Sequence, residues 1–423
     1  MAGRRPGRQA GETAGIAIVG AGIVGVACAQ KLLAAGRSVT LFDEAGIAHG
    51  ASYGNAGALA FSDVLPMASS GVMWKAPKWL LDPLGPLSIP PAYALQIMPW
   101  LVRFWRAGWS DRVKASIAAQ GALMRLARSE MEAMIAETEL SHMLRSDGSL
   151  ELYESEAELR ASEPGWRARK AEGIVFEHVR GAELAALQPG LSSRFVAGTF
   201  VPGWQTLADP YQFACGIAEF ISAKGATIRE QKVVSVKPDG DSVRLTLADG
   251  GAVSAKHSVI AAGAWSKRLT RPLGDAVPLE TERGYNTTLP LGAFALQRQL
   301  IFGGHGFVVT PLSTGIRVGG AVELGGLRLK PNYARADAML AKAAQFLPGL
   351  KTDGGRQWMG FRPSLPDSLP VIGRSRSSER IVYAFGHGHL GLTQSAATGR
   401  LVADMIRGGE PAIDLKPFSP QRF

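Results

Sequence analysis

The chain has 423 residues, 46% of them hydrophobic and 19% charged, which suits two or three folded units and excludes a disordered or fibrous protein. Its two cysteines, Cys28 and Cys215, exclude a disulfide scaffold and a cysteine-rich zinc site. A net charge of +10 favours anionic small molecules or an acidic membrane surface, and no helix-turn-helix, zinc-finger or RNA-binding signature points to nucleic acid.

Residues 1–14 form a Gly- and Arg-containing leader without an apolar core, and no apolar run is long enough to span a bilayer. The expectation is a cytoplasmic protein, with peripheral contact at the inner face of the membrane as the variant to test. Ile16 to Val19 reads as a strand buried on both faces. Gly20, Gly22 and Gly25 follow as G-x-G-x-x-G, then a helix over Val24 to Ala35 with Gly36 after it. Ser38 to Phe42 is the second strand, closed by Asp43, eighteen residues after Gly25, with Glu44 beside it.

Each glycine has a physical task. Gly20 permits the tight turn, Gly22 lets backbone approach a pyrophosphate, and Gly25 lets helix and strand pack closely. The helix start, at Ile23 and Val24, offers N–H groups and a positive dipole end to phosphates. Asp43 is placed to accept hydrogen bonds from the hydroxyls of an adenosine ribose. The motif alone fits NAD or FAD.

The small-residue loop Gly50 to Gly57 then favours FAD, because its closely spaced N–H groups suit a second contact along an extended cofactor. Here the sequence resembles the D-amino-acid oxidase superfamily of flavoproteins, and within it bacterial D-amino acid dehydrogenases and glycine-oxidase-like enzymes. Ala51, Ser52, Asn55, Ala56 and Gly57 match that group's second fingerprint. The loop holds no His or Cys, so the resemblance implies non-covalent FAD. It also implies an α/β fold: a Rossmann-like FAD-binding domain of the GR2 type, with a second substrate domain of mixed antiparallel sheet and helices.

Residues 64–112 hold five of the nine tryptophans: Trp74, Trp79, Trp100, Trp105 and Trp109. Lys75, Lys78, Arg103, Arg106, Arg112 and Lys114 are interleaved with them or follow them. Two readings stay open for 72–114: a monotopic membrane patch, or a roof or subunit contact for the substrate domain. Prolines 77, 83, 86, 90, 91 and 99 break the stretch too often for one long amphipathic helix. Val113 to Glu137 is a helix with methionines as core filling, and Ser149 to Tyr153 is a strand. Asp209 caps a helix that opens at Pro210 and ends at Gly225.

Lys232–Lys237, Val243–Leu247 and Ala252–Lys256 read as an antiparallel meander, after which His257 to Trp265 returns as an apolar strand. The resemblance places Ala262, Gly263 and Trp265 close to the FAD and gives the backbone of Val234 a contact with its adenine. Farther on, Phe302–Pro311 and Thr314–Val322 read as strands that could pair, and the resemblance implies that they belong to the sheet covering the flavin face. Arg283-Gly284-Tyr285 lies beside that region. The segment Gly360 to Gly373 resembles the group's G-x-R-P-x-x-x-D-x-x-P-x-I-G stretch, whose arginine grips a substrate carboxylate; that residue is Arg362 here. Ile381–Phe385, a glycine loop and a helix to Ile406 complete the pattern. This segment resembles the group's carboxyl-terminal flavin segment, which implies that Gly386, Gly388, Leu390, Gly391, Leu392 and Thr393 face the pyrimidine edge of the flavin with backbone donors. His387 and His389 are candidates to line the site or to brace it. No carboxylate cluster accompanies them, so no metal is expected.

The expected domains are an FAD unit from 15–62, 155–265 and 360–423, and a substrate unit from 63–154 and 266–359. The expected reaction oxidises the C–N bond of a small amino acid or secondary amine: a D-amino acid, D-hydroxyproline, glycine, sarcosine or iminodiacetate. Arg362 holds the carboxylate, Tyr285 is a second donor, hydride leaves for flavin N5, and the imine hydrolyses to an oxoacid and an amine. Oxygen or a quinone takes the electrons. The rival readings are an NAD(P)-dependent dehydrogenase, with no use for Ser52 and Asn55, and a non-catalytic FAD-binding membrane-associated subunit.

Overall fold

The structure, a computed structural model, describes residues 12–68, 79–80, 82 and 84–423. Most of the leader, with Trp74, Lys75, Lys78 and Pro77, lies outside the described residues. In chain order, β1 (Glu12–Val19), α1 (Ile23–Ala34) and β2 (Val39–Phe42) come first. Next come α2 (Ala94–Ala107) and α3 (Ser110–Glu137), and later a meander of β3 (Val233–Asp239), β4 (Ser242–Leu247) and β5 (Ala252–Ile260). Three long strands follow: β6 (Glu280–Leu289), β7 (Gly315–Glu323) and β8 (Arg356–Ser364). The chain closes with β9 (Val371–Ser375), β10 (Ser378–Phe385) and α4 (Gly391–Arg407).

The first sheet has the order 227–229, β2, β1, β5, β4, β3, with β10 also on β5 and β9 on β10. The strand β1 pairs in parallel with both β2 and β5, so it lies in the sheet interior and is apolar on both faces. Ile16 and Ile18 face a core shared with α1, α3 and α4, while Ala17 and Val19 face a second core that holds Val236, Leu245 and Tyr383. Burying a side chain such as Ile18 stabilises the fold by about 1.5–3 kcal/mol. On the first face α1 and α4 approach closely at Gly399, where an added Cβ would come within 2.6 Å of the Ala27 carbonyl oxygen. Met131 and Met134 of α3 fill this core, as expected.

Two expectations change here. Glu12 to Ala14 belong to β1, opposite Val253–Ala255, rather than to the leader. The meander's third strand and the expected return strand are one strand, β5. Its first half pairs antiparallel with β4 and its second half pairs parallel with β10.

The second sheet runs β8, β6, β7, 307–312, 299–302, 149–153, 197–201, 177–180. The pair expected for 302–311 and 314–322 is formed by Phe307–Leu312 with β7, and Phe302 ends the neighbouring strand. The expected domain boundary at 155 does not match the pairing. Glu177–Arg180 and Ala197–Val201 bond to each other, and the latter to Ser149–Tyr153, so both extend the second sheet. Likewise α3, expected in the substrate unit, packs Leu123, Ala127 and Ile135 into the nucleotide-side core. Backbone hydrogen bonds between distant segments decide these memberships, and neither composition nor spacing exposes them.

Proline does not prevent α2 from forming. Pro99 lies inside it, but the bond it removes belongs to the turn that begins at Leu95, which is 89% exposed, so water can replace the missing donor.

Candidate active site

The first part of the site is a glycine cradle at the carboxyl ends of β1 and β5. Gly20 turns the chain with φ +108°, and a Cβ there would strike the Ala261 carbonyl. At Gly25 a Cβ would strike the Gly20 carbonyl, so helix and turn fit together only with hydrogen at that position. Gly22 precedes α1 without any side-chain cap of its own. Instead the N–H of Ile23 donates to Ser52 Oγ at 3.0 Å, which joins the second fingerprint to the first. The next N–H groups, beginning at Val24, head the helix and give the cradle its positive end.

Asp43 closes β2. Its Oδ2 accepts from Ala21 N–H at 2.8 Å and its Oδ1 from Ala45 N–H at 3.0 Å. Each oxygen keeps a further lone pair, which suits a ribose hydroxyl. Glu44 does not join it; its carboxylate pairs with Lys232 on the exposed side. Val234 is suited to a backbone contact by a bulge: Val233 pairs with Leu247 and Ser235 with Thr246, leaving Val234 out of the ladder.

Asn55 braces the loop of 51–57. It donates to the Ser52 carbonyl at 2.9 Å and accepts from Gly57 N–H at 2.8 Å, with Ala56 held between. The second sheet grips the loop from the other side. Asn286 Nδ2 donates to the Gly54 carbonyl at 2.7 Å, Arg317 donates to the Asn55 carbonyl, and the Trp358 indole fills the space a Cβ on Gly54 would need. On the far flank Gly263 turns with φ +52°, and Trp265 meets Phe361 edge-on with ring centroids 5.6 Å apart.

The carboxyl-terminal segment brings a second uncapped helix start. Leu390 precedes α4 without a side-chain cap, so the N–H groups of Gly391, Leu392 and Thr393 head the helix. Thr393 Oγ1 accepts from Ala60 N–H and donates to the Ala58 carbonyl, tying α4 to the strand after the fingerprint loop. Gly386 turns with φ +86°, and Gly388 N–H donates to the Pro363 carbonyl at 2.7 Å.

The two histidines separate here. His387 is buried, 2.9 Å from Thr398 Oγ1. That hydroxyl gives its proton to the Gln394 carbonyl, so His387 Nε2 is the donor. Burial pushes its pKa down to about 3, so it is a neutral brace beneath the loop. His389 is exposed and bonds Asp63 Oδ2 at 2.9 Å. Burial of the ring nitrogen works against its charge, but the Asp63 bond and charge, with Glu282 adding, raise the pKa overall.

Arg362 lies on β8 opposite Glu282 of β6. Its Nη1 donates to the Ala321 carbonyl at 2.9 Å and its Nη2 to the Gly320 carbonyl at 3.4 Å. Among the described residues no carboxylate forms a salt bridge with it. Burial lowers its pKa and Glu282 raises it, yet a guanidinium stays charged. The fork crosses β6 at Gly284, where any Cβ would collide with it.

Tyr285 is not beside Arg362. Strand alternation places Glu282, Gly284 and Asn286 on the face with Arg362, and Arg283 and Tyr285 on the other. The Tyr285 hydroxyl donates to Glu323 Oε2 at 3.1 Å and accepts from Asn332 N–H at 3.0 Å. The expected second carboxylate donor is therefore a member of the core behind the sheet. Sequence reading passed over Glu282, Asn286, Arg317 and Trp358, whose common face emerges only once the register of β6 and β8 is known.

These donors suit a dinucleotide with an anionic centre: two uncapped helix starts, glycines admitting close backbone approach, and an acid at the ribose position. Residues 15–405 match the family described as DAO, FAD dependent oxidoreductase. The chain belongs to this family. It is 37% identical over 415 residues to a D-amino-acid oxidase of Bradyrhizobium diazoefficiens, covering 96% of this chain and 98% of that one. It is 29% identical over 415 residues to a D-amino acid dehydrogenase of Rhizobium johnstonii, covering 96% and 99%. Glycine oxidase from Geobacillus kaustophilus superposes with a TM-score of 0.76 at 24% identity, over 97% and 99% of the two chains. As a member, the chain is an FAD-dependent oxidoreductase with a Rossmann-like nucleotide domain, and the NAD(P) reading is set aside.

Proposed function

We propose that this enzyme oxidises the C–N bond of a small amino acid, with D-amino acids first among its substrates. The observation that carries the reading is Arg362: a guanidinium without a salt-bridged carboxylate among the described residues, on the sheet face whose neighbours grip the fingerprint loop. Such a fork binds a carboxylate through two parallel hydrogen bonds. The names of the curated relatives, oxidase and dehydrogenase of D-amino acids, support the substrate class. The FAD would be held, without a covalent bond, by Gly20, Gly22, Gly25, Asp43, Ser52, Asn55, the bulge at Val234, the turn at Ala262 and the start of α4. Bound there, it supplies the acceptor for the hydrogen and electron pair that leave the α-carbon. Arg362 fixes the substrate's position, and the sheet over the loop excludes water while the C–H bond breaks. The resulting imine takes up water and separates into an oxoacid and ammonia or an amine.

The test is anaerobic titration of the yellow holoenzyme with D-amino acids, glycine, sarcosine and iminodiacetate. One member of the panel must bleach the flavin, and Arg362→Ala must raise the concentration needed by about a hundredfold or more. Unchanged affinity in that variant overturns the assignment.

An exposed stripe on α2 supports a proposal for membrane contact and, with it, for the acceptor. Leu95, Met98, Val102, Trp105 and Trp109 repeat at helical spacing along and just beyond α2, and each is exposed, from 45% to 89%. Ile97 and Trp100 form the buried side. Arg103, Arg106 and Arg112 flank the stripe, as expected of a helix lying on an anionic bilayer. Among the described residues no helix is long and apolar enough to cross a membrane. We take the stripe as a lipid contact and a membrane quinone as the acceptor. Sedimentation with phosphatidylglycerol vesicles, lost in Val102→Glu/Trp105→Glu, tests the contact. Faster reoxidation by a soluble quinone than by oxygen tests the acceptor.

A further inference from the structure

We infer that Glu282 binds the α-ammonium group of the substrate, so that the site recognises a zwitterion held between Glu282 and Arg362. The inference rests on the reading of Arg362 as the carboxylate anchor and adds the second half of the recognition.

Glu282 stands on the same face of β6 as Gly284 and Asn286, the face that meets Arg362 and the fingerprint loop. It is only 6% exposed, yet among the described residues no donor bonds it and no cation pairs with it. Its oxygens keep only a sliver of solvent access, and a carboxylate so enclosed gains when a cation or proton reaches it. Glu323, one strand away and equally buried, shows the ordinary solution: Arg283 Nη1 lies 3.0 Å from Oε1 and the Tyr285 hydroxyl 3.1 Å from Oε2.

Arg362 and His389 are cations that feel the Glu282 charge, and neither is hydrogen-bonded to it. Arg362 donates to the carbonyls of Gly320 and Ala321, and His389 bonds Asp63. No partner for Glu282 comes from the described residues, and its place beside Arg362 suits one brought by the substrate. The Arg362 fork crosses β6 at Gly284, two residues from Glu282, a strand repeat of about 7 Å. One α-amino acid can bring its amine to Glu282 and its carboxylate to Arg362 at once, each through a hydrogen bond of about 2.9 Å. The arrangement also separates substrate from product: the amino acid brings a cation to Glu282, and the oxoacid brings none.

The test uses the FAD-loaded enzyme and two acids that differ only at one group, 2-aminoisobutyrate and pivalate. Neither has an α-hydrogen, so binding is read from the flavin spectrum without turnover. The wild type is expected to prefer 2-aminoisobutyrate by about tenfold or more, and Glu282→Gln to abolish the preference by weakening the amino acid while leaving or tightening pivalate. Arg362→Lys is expected to weaken both. A wild type without preference, or a Glu282→Gln variant that keeps it, overturns the inference. An Arg362→Lys variant that weakens neither instead overturns the carboxylate reading beneath it. If the quaternary carbon is excluded from the site, the KM of the best panel substrate and the inhibition constant of propionate give the same decision. Glu282→Gln must raise the first about tenfold and spare the second. Glu282→Asp, which keeps the charge, must retain most of the preference and serves should the Gln variant lose its FAD.

Discussion

The two faces of β6 carry similar chemistry and treat it in opposite ways. On the back face Arg283, Glu323 and Tyr285 satisfy one another: Arg283 donates to Glu323 and to the carbonyls of Gly326 and Leu329, and Tyr285 completes the carboxylate. On the front face Arg362 reaches only carbonyl oxygens and Glu282 reaches nothing among the described residues. The same residue types, an arginine and a glutamate, form a closed network on one side and a pair of open ends on the other. A closed network contributes to stability and fold uniqueness. Open ends lower stability and suit a site that a ligand completes.

The sharpest way to break this comparison is to open the closed face. Arg283→Met takes from the buried Glu323 carboxylate its hydrogen-bonded cation and leaves it the charge of Arg335, a change that costs up to about 3–5 kcal/mol. The melting temperature should fall steeply, while kcat/KM per folded molecule stays near the wild-type value. A variant that melts normally but loses activity would reverse the roles of the two faces.

The converse change is Gly284→Ala on the front face. The new Cβ collides with the Arg362 fork, which must swing away from β6. A displacement of about 1 Å at a positioning group costs about a hundredfold in rate. Steady-state kinetics should show that loss with FAD content and melting temperature little altered, because the strand pairing on either side is unchanged.

These contrasts show what could be read in the chain. The cradle of Gly20, Gly22 and Gly25 and the loop of Ser52 and Asn55 were legible because each is a short run of fixed spacing, although Gly20 also needs room against Ala261 and Ser52 reaches Ile23. Arg362 was reachable through the spacing of its segment. Tyr285 was misplaced by one step of strand parity, since successive residues point to opposite faces and only the pairing of β6 with β8 sets which face looks at the cofactor loops. Glu282 went unnoticed for the same reason, and the boundary near 155 because strands 177–180 and 197–201 choose partners far from the nucleotide fold.

The next effect is gentler and depends on pH. His387 is neutral in the folded protein, with a pKa near 3 against 6.5 for an unhindered ring. The unfolded chain therefore binds the extra proton and the folded one does not, so this residue lowers stability as pH falls from about 6.5 towards 3. The slope approaches about 1.4 kcal/mol per pH unit within that window and vanishes above it. Denaturant unfolding of His387→Gln, compared with the wild type at pH 7 and at pH 5, should show a smaller acid loss in the variant. Equal acid losses in the two proteins would mean that the ring is protonated in place and that the loop before α4 is not braced by a neutral imidazole.

The smallest effect separates the two faces most cleanly. Tyr285→Phe removes one hydroxyl that serves Glu323 and the N–H of Asn332 and nothing on the substrate side. Losing such a hydrogen bond costs about 1 kcal/mol. Arg283 still holds Glu323, so the carboxylate is not stranded. The melting temperature should therefore drop by a few degrees, and kcat/KM for the best substrate should stay within about twofold of the wild type. A tenfold rise in KM would instead mean that Tyr285 turns through the sheet to meet the carboxylate, and the division between a structural and a catalytic face of β6 would fail at the residue where the two possibilities lie nearest together.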